Sequence, residues 1–291
     1  MKNPLIVALD VETLNEAKAL VAKLGDSVEI YKIGSQLFTA CGPQAVREIL
    51  AVGKKVFLDL KFHDIPNTVA NAVESAVALS VPPSLRGSPK DGRSNLKDGI
   101  ASPFGLAMTR FGSLFMLTVH TIGGREMLEA AVAAGKKKAQ ALGVQRPLIV
   151  GVTVLTSQAA SGNSVEIKAG TRRKVNPDPV EGLTSDAKAT NIQVLVLERA
   201  KLAFEAGLDG VVASAQEAAL IRKELGPDFV IVTPGIRPSS AAPDDQKRVA
   251  TPKDAISSGS DYLVVGRPIV KAPSPRKAAQ EILEEIKRVH S

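Results

Sequence analysis

The chain of 291 residues has no tryptophan, one cysteine and three histidines, and aromatic residues make up 3% of it. Each scarcity narrows the possible functions. A single cysteine, Cys41, cannot form an intramolecular disulfide and fits a reducing cytoplasm. As a free thiol it is expected to be a small buried apolar residue. The three histidines are widely spaced, with no HExxH or paired-cysteine pattern, so no metal site is expected. Few aromatics argue against the stacking platforms of single-stranded nucleic-acid binders, and no nucleic-acid partner is expected. No apolar run is long enough to span a membrane, and Met1-Lys2-Asn3-Pro4 shows no signal-peptide pattern, so no membrane partner is expected either. No GxGxxG follows the first strand-like run, which removes a dinucleotide fingerprint. No repeat of solenoid length occurs.

What remains is an ordinary globular composition, 44% hydrophobic and 23% charged, with a net charge of +7 that permits an anionic ligand. Short β-branched runs alternate with longer amphipathic ones. Strands are expected at 5–10, 29–34, 56–61, 114–120, 148–155, 210–214, 229–235 and 262–266. Helices are expected near 13–24, 43–52, 66–80, 124–141, 191–206, 215–225, 252–258 and 275–289. In the first helix Leu14, Ala17, Leu20, Val21 and Leu24 share a face, and Thr13 with Glu16 makes a capping box. Strands alternating with helices imply parallel pairing, and eight such units imply a closed (β/α)8 TIM barrel in the α/β class. Residues 1–291 are expected to form one domain with two long loop insertions. One, at about 81–112, is rich in proline and glycine and enters at the N-terminal face. The other, at about 158–190, follows the fifth strand and carries Arg172-Arg173-Lys174.

Charge at strand ends is the strongest functional signal. The apolar run Lys55-Val56-Phe57-Leu58 ends in Asp59-Leu60-Lys61-Phe62-His63-Asp64. Residues two apart on a strand share a face, so Asp59 and Lys61 are expected to point together, opposite Leu58 and Leu60. Burying both ions costs several kcal/mol each before they pair, so they form either an ion pair or a reaction centre. Asp10, Lys32, His120, Thr156 and Ser157 also stand at or near strand ends, and the C-terminal strand ends of such a barrel converge on its active face. Taken singly, Asp10 could cap a helix and Lys32 could snorkel outward. His63 and His120 are expected to be structural. After the seventh and eighth strands, Gly235 and Gly266 with Arg237 and Arg267 suit a phosphate, because glycine lets backbone N–H groups approach and arginine offers a forked donor set. The polar segment 241–248 is expected to be a loop that closes over that phosphate.

These pieces resemble the orotidine 5′-phosphate decarboxylase family. The resemblance rests on Val7-Ala8-Leu9-Asp10, Tyr31-Lys32-Ile33-Gly34, the run from Asp59 through Thr68 (DLKFHDIPNT), Thr118-Val119-His120, Val152–Ser157, Thr233–Pro238, Asp245–Arg248 and Val264–Pro268, which occur in family order along the whole barrel. The resemblance implies a cofactor-independent carboxy-lyase of pyrimidine biosynthesis. Lys61 would be the proton donor to C6 of the pyrimidine and Asp59 would sit beside the departing carboxylate. Lys32 and Asp64 would complete an alternating charge network. Asp10 and Lys32 would contact the ribose and Thr156 the ring. Gln246, Gly266 and Arg267 would hold the phosphate, with Arg237 nearby. Asp64 and Thr68, with Ile65 between them, would serve the partner subunit's site, which implies a homodimer with shared active sites. Two other readings stand beside this one: an Mg-dependent sugar-phosphate decarboxylase or aldolase of the same barrel superfamily, and a nucleic-acid binder acting through the basic insertions.

Overall fold

A computed structural model describes residues 3–82, 111–154, 185–238 and 249–289, with only the helical backbone described over 185–191. Eight parallel strands close into a barrel in sequence order: β1 (Leu5–Ala8), β2 (Ile30–Gly34), β3 (Lys55–Phe62), β4 (Leu114–His120), β5 (Leu148–Val152), β6 (Gly210–Val212), β7 (Val230–Thr233) and β8 (Tyr262–Val265). Closure is direct, with Val7 of β1 opposite Tyr31 on one side and Val265 on the other. The expected TIM barrel is therefore present.

Two apolar populations sort by strand alternation. Inside the barrel, Ile6, Ile30, Phe57, Met116, Val150 and Val264 fill the lumen. Outside it, Val7, Tyr31, Leu58, Leu117, Ile149 and Val265 pack against the helices. Those helices are α1 (Leu14–Leu24), α2 (Ser35–Cys41), α3 (Pro43–Ala51), α4 (Pro66–Val77), α5 (Gly124–Leu142), α6 (Ser185–Glu205), α7 (Ala215–Leu225), α8 (Pro252–Ser257), α9 (Arg267–Val270) and α10 (Pro275–Lys287). Each amphipathic stripe has its covering surface. Helix α1 buries Ala17, Leu20, Val21 and Leu24 and starts with the Thr13–Glu16 capping box. Helix α10 buries Ala279, Ile282 and Ile286, and each isoleucine contributes about 1.5–3 kcal/mol of hydrophobic stabilisation.

Several expectations need correction. Helix α2 was not foreseen: it is seven residues long and lies between Gly34 and Gly42, too short to display a period. Helix α9, a single turn after β8, was missed for the same reason. Helix α6 begins at Ser185, inside the segment read as the second insertion. Cys41 is half-buried at the edge of the core and does not lie within it. Most of both insertions, Thr156, Gln246 and the loop 241–248 lie outside the described residues. The roots of the first insertion are described: Ser80, Phe111 and Gly112 lie beside Gly143 and Val144, at the N-terminal end of the barrel.

That end is braced by a device used twice. Asp209, just before β6, accepts from the Ile149 N–H at 2.7 Å, donates its own N–H to the Ile149 carbonyl, and takes both Arg146 guanidinium nitrogens at 2.5 and 2.8 Å. Asp261, just before β8, accepts from Ile231 N–H at 2.7 Å and pairs with Arg222 at 2.6 Å. Each carboxylate thus ties its strand to the preceding one and satisfies an arginine. Removing the Asp209 carboxylate takes away the acceptor of the partly buried Arg146 guanidinium and of the Ile149 N–H together. Asp209→Ala is expected to lower unfolding stability by roughly 2–4 kcal/mol in a urea titration. The folded fraction should keep its activity, because this brace is at the end opposite the charged strand tips.

Candidate active site

The lumen is apolar at its floor and charged at its mouth. On β2 the inward sequence runs from Ile30 to Lys32, on β3 from Phe57 to Asp59, and on β4 from Met116 to Thr118. One step up each of these three strands, hydrocarbon gives way to polar groups. Lys32, Asp59 and Lys61 share a cavity wall with Val152, Val212 and Pro234.

The charges form a chain of alternating sign. Lys61 Nζ donates to Asp59 Oδ1 at 2.9 Å. The other oxygen of Asp59, Oδ2, lies 3.5 Å from Lys32 Nζ, and Lys32 Nζ donates to Asp10 Oδ1 at 3.3 Å. Exposure grades along the chain: the side chains of Lys32 and Asp59 are 12% and 13% exposed, Lys61 34% and Asp10 51%. The Lys32 ammonium has room because residue 34 is glycine; a Cβ there would stand 2.9 Å from Nζ. At the far end, a Cβ at Gly266 would lie 3.5 Å from Asp10 Oδ2, so the turn after β8 adjoins the chain directly.

Strand β3 reaches this geometry by leaving regular pairing. Its register with β4 runs through Leu58↔Leu117 and resumes at Phe62↔Val119. Three residues, Asp59, Leu60 and Lys61, thus face one, Thr118. Lys61 has φ 53°, the one positive φ outside glycine among the described residues, and such a conformation costs a side-chain-bearing residue roughly 1–2 kcal/mol. The alternation argument put Asp59 and Lys61 on one side, and they are, but a bulge and a left-handed turn deliver the lysine there rather than a flat strand. The fully buried Thr118 hydroxyl accepts the Lys61 N–H at 2.8 Å and donates to Asp59 Oδ1 at 3.1 Å.

Other candidates fall elsewhere. Within one chain Asp64 does not join the network: it is exposed, and its Oδ1 accepts the adjacent Ile65 N–H at 2.6 Å. Ile65 is 66% exposed and Thr68 is exposed in the first turn of α4. Arg237 follows β7, where its N–H donates to the Ala250 carbonyl while the Ala250 N–H donates to Gly235 O, closing the base of that loop. Gly266 and Arg267 open α9.

Sequence reasoning gave Thr118, quoted only as part of a motif, and Arg199 no chemical role. The first had a usable signal, since it lies two residues before His120 on the lumen face of β4. Arg199 had none: it is one cation on an amphipathic helix, yet it is buried and donates to the Thr153 carbonyl at 2.5 Å. It also acts on His120, whose pKa is lowered to about 4, first by burial and then by the nearby charges of Arg199, His63 and Lys61. The His63 and His120 rings lie 5.8 Å apart. A neutral His120 accepts the Ile122 N–H on Nδ1, at 3.4 Å. The unfolded chain takes up this proton near pH 6.5 and the folded chain near pH 4. Stability from His120 is therefore full above about pH 6.5 and is lost as pH falls towards 4. His120→Gln is expected to flatten the stability profile across that window in denaturation curves taken at successive pH values.

Comparison with known proteins places the chain in a family. The model of the orotidine 5′-phosphate decarboxylase / HUMPS family matches residues 3–81 and 112–282, omitting 82–111 and running through 158–190. An orotidine 5′-phosphate decarboxylase of Pelobacter propionicus is 41% identical over 286 residues, covering 98% of this chain and 95% of the relative. One of Moorella thermoacetica is 41% identical over 288 residues, covering 99% and 94%. The crystal structure of orotidine 5′-phosphate decarboxylase from Lactobacillus acidophilus superposes with a TM-score of 0.68 at 29% identity, covering 98% of this chain and 99% of that one. With its barrel, its strand-end motifs and its full-length relatives, the chain belongs to the orotidine 5′-phosphate decarboxylase / HUMPS family.

Proposed function

We propose that this protein is a carboxy-lyase that converts orotidine 5′-phosphate to uridine 5′-phosphate and CO2 in pyrimidine biosynthesis. The observation that carries this reading is the Lys61 ammonium held 2.9 Å from Asp59 in a lumen wall shared with Lys32. The bond from C6 of the pyrimidine to its carboxylate breaks, and its electron pair stays on C6 as CO2 leaves. That pair occupies an in-plane orbital which the ring delocalises poorly, so fixed charge must stabilise it. Lys61 supplies the charge and then the proton to C6, and solvent returns the proton to its amine. Asp59, beside the departing carboxylate, orients Lys61. Lys32 and Asp10 meet the ribose, and Thr156 the ring. Gly266, Arg267, Gln246 and Arg237 take the phosphate, whose binding energy holds the nucleotide in register with the distant reacting carbon.

Asp64, Ile65 and Thr68 act, in this reading, in the site of a second copy. Their exposure supports that role, since all three are solvent-facing beside their own strand end. The enzyme is then a homodimer with shared sites, and each chain is one catalytic domain carrying two insertions. A cytoplasmic setting suits the single free thiol. No cofactor is required by this chemistry. An Mg-dependent sugar-phosphate reaction is disfavoured by the pairing of Asp10 and Asp59 with lysine ammonium groups, and full-length relatives at about 40% identity point to orotidylate.

Purified protein should turn over orotidine 5′-phosphate undiminished in excess EDTA, followed by loss of the orotate absorbance. Activity abolished by chelation and restored by Mg²⁺ would sink this reading. Lys61→Ala should lower kcat by at least about 10³-fold, since it removes both the proton donor and the charge. A mixture of Lys61→Ala and Asp64→Ala proteins should regain activity that neither shows alone. Failure of subunits that demonstrably exchange to complement would remove the shared site.

A further inference from the structure

Thr118 holds a position that the assigned chemistry leaves unexplained. Its hydroxyl is fully buried and meets the two groups on which the proposed reaction depends. The direction of each bond is fixed by elementary bookkeeping of donors. A backbone N–H can only donate, so the hydroxyl must accept from Lys61 N. A carboxylate can only accept, so the hydroxyl proton must go to Asp59 Oδ1. One small side chain therefore reads both residues at once, with no freedom to reverse.

The surrounding ladder shows why such a bracket is needed. Opposite Thr118 the pairing of β3 with β4 has lost its register, and two extra residues bulge out of β3. A bulge leaves residues without a ladder partner and frees the backbone to twist. Lys61 is turned into a left-handed conformation that L-residues disfavour. The Lys61 N–H has the Thr118 hydroxyl as its acceptor, in place of a carbonyl of β4. Asp59 Oδ1 receives Thr118 and Lys61 Nζ together, and Oδ2 faces Lys32, so the carboxylate is held on both oxygens.

We propose that Thr118 is a positioning residue: its buried hydroxyl clamps the bulge of β3 and sets the Lys61–Asp59 pair at the reacting end of the site. This rests on the decarboxylase reading for its kinetic consequences, though not for its geometry. The clamp acts on the pair at the carbon that reacts and touches none of the groups assigned to the phosphate. Its loss therefore falls on kcat and spares KM. A valine in place of threonine fills the same volume but offers neither acceptor nor proton. A serine keeps both.

The test compares Thr118→Val with Thr118→Ser in the full-length protein. Thr118→Val should lose on the order of 10²-fold in kcat, the scale of an ångström's misplacement, with KM within about threefold of wild type. Thr118→Ser should stay within about threefold of wild type in both constants. A crystal structure of Thr118→Val should find Lys61 out of its left-handed conformation or its ammonium withdrawn from Asp59. Wild-type turnover by Thr118→Val, or an equal loss in both variants, overturns the proposal. An unchanged Lys61 in the Thr118→Val crystal does so too. Hydrogen exchange of the Lys61 amide in the wild-type protein keeps the question decidable if the valine variant does not fold: slow exchange supports the clamp, and exchange at the rate of an exposed amide refutes it. If the wild type does not act on orotidylate, the decarboxylase reading fails while the crystal and exchange results still decide the clamp.

Discussion

The carboxylate of Asp59 is the hinge of this molecule's site. It is nearly buried, and burial of an ion is tolerable only where opposite charge and hydrogen bonds replace water. Here the replacement is complete on both sides: Lys61 and Thr118 on one oxygen, Lys32 on the other. Each partner in turn constrains its own strand. Lys32 draws Asp10 into the chain from β1, Thr118 ties β4 to β3, and Lys61 accepts an unfavourable backbone conformation to reach the lumen. Four strands are thereby locked at their C-terminal ends by one ionised group.

The barrel itself needs no such device, and this is why so much of it could be read from sequence. All eight strands were legible because alternation of two apolar faces leaves β-branched runs such as Leu5-Ile6-Val7-Ala8, and because longer outer helices such as α1 and α10 show a stripe at helical spacing. Elements without room for a period escaped: α2, seven residues between two glycines, and the single turn α9. The start of α6 at Ser185 escaped for a different reason. Its first turn, Ser185-Asp186-Ala187-Lys188, is polar and resembles loop composition, so only tertiary context distinguishes it.

The site was legible in its residue types and not in its geometry. Asp59 and Lys61 announce themselves as charges on an apolar strand, and the contact between them followed from their spacing. Nothing in the letters discloses that three residues of β3 stand against one of β4, since a bulge is a property of two strands at once. Asp64 shows the same limit from the other side. Its place in the motif suggests a member of the network, yet within one chain its carboxylate turns back to the Ile65 N–H. The resemblance gives Asp64 to the site of a partner subunit, a contact that the letters and fold of one chain do not display.

The sign of the assembly bears on what it can bind. Asp10, Lys32, Asp59 and Lys61 together carry no net charge, so the chain of ions is electrostatically neutral and cannot alone attract an anion. A substrate bearing both a phosphate and a carboxylate needs positive charge from elsewhere. Arg237 follows β7 and Arg267 opens the turn after β8, where Gly266 adjoins Asp10. The protein's +7 excess adds a long-range pull. Division of labour follows. On the proposed reading, cationic arginine and backbone N–H groups bind the phosphate end. The neutral, rigid ion chain is left to discriminate between the bound carboxylate and the carbanion that replaces it. On that reading the carbanion's charge sits on the one carbon that Lys61 protonates, whereas the carboxylate spreads its charge over two oxygens, so a fixed ammonium aimed at that carbon gains more from the second state than from the first. Rigidity of the Lys61–Asp59 pair, rather than total charge, is then what the architecture of β3 and β4 supplies.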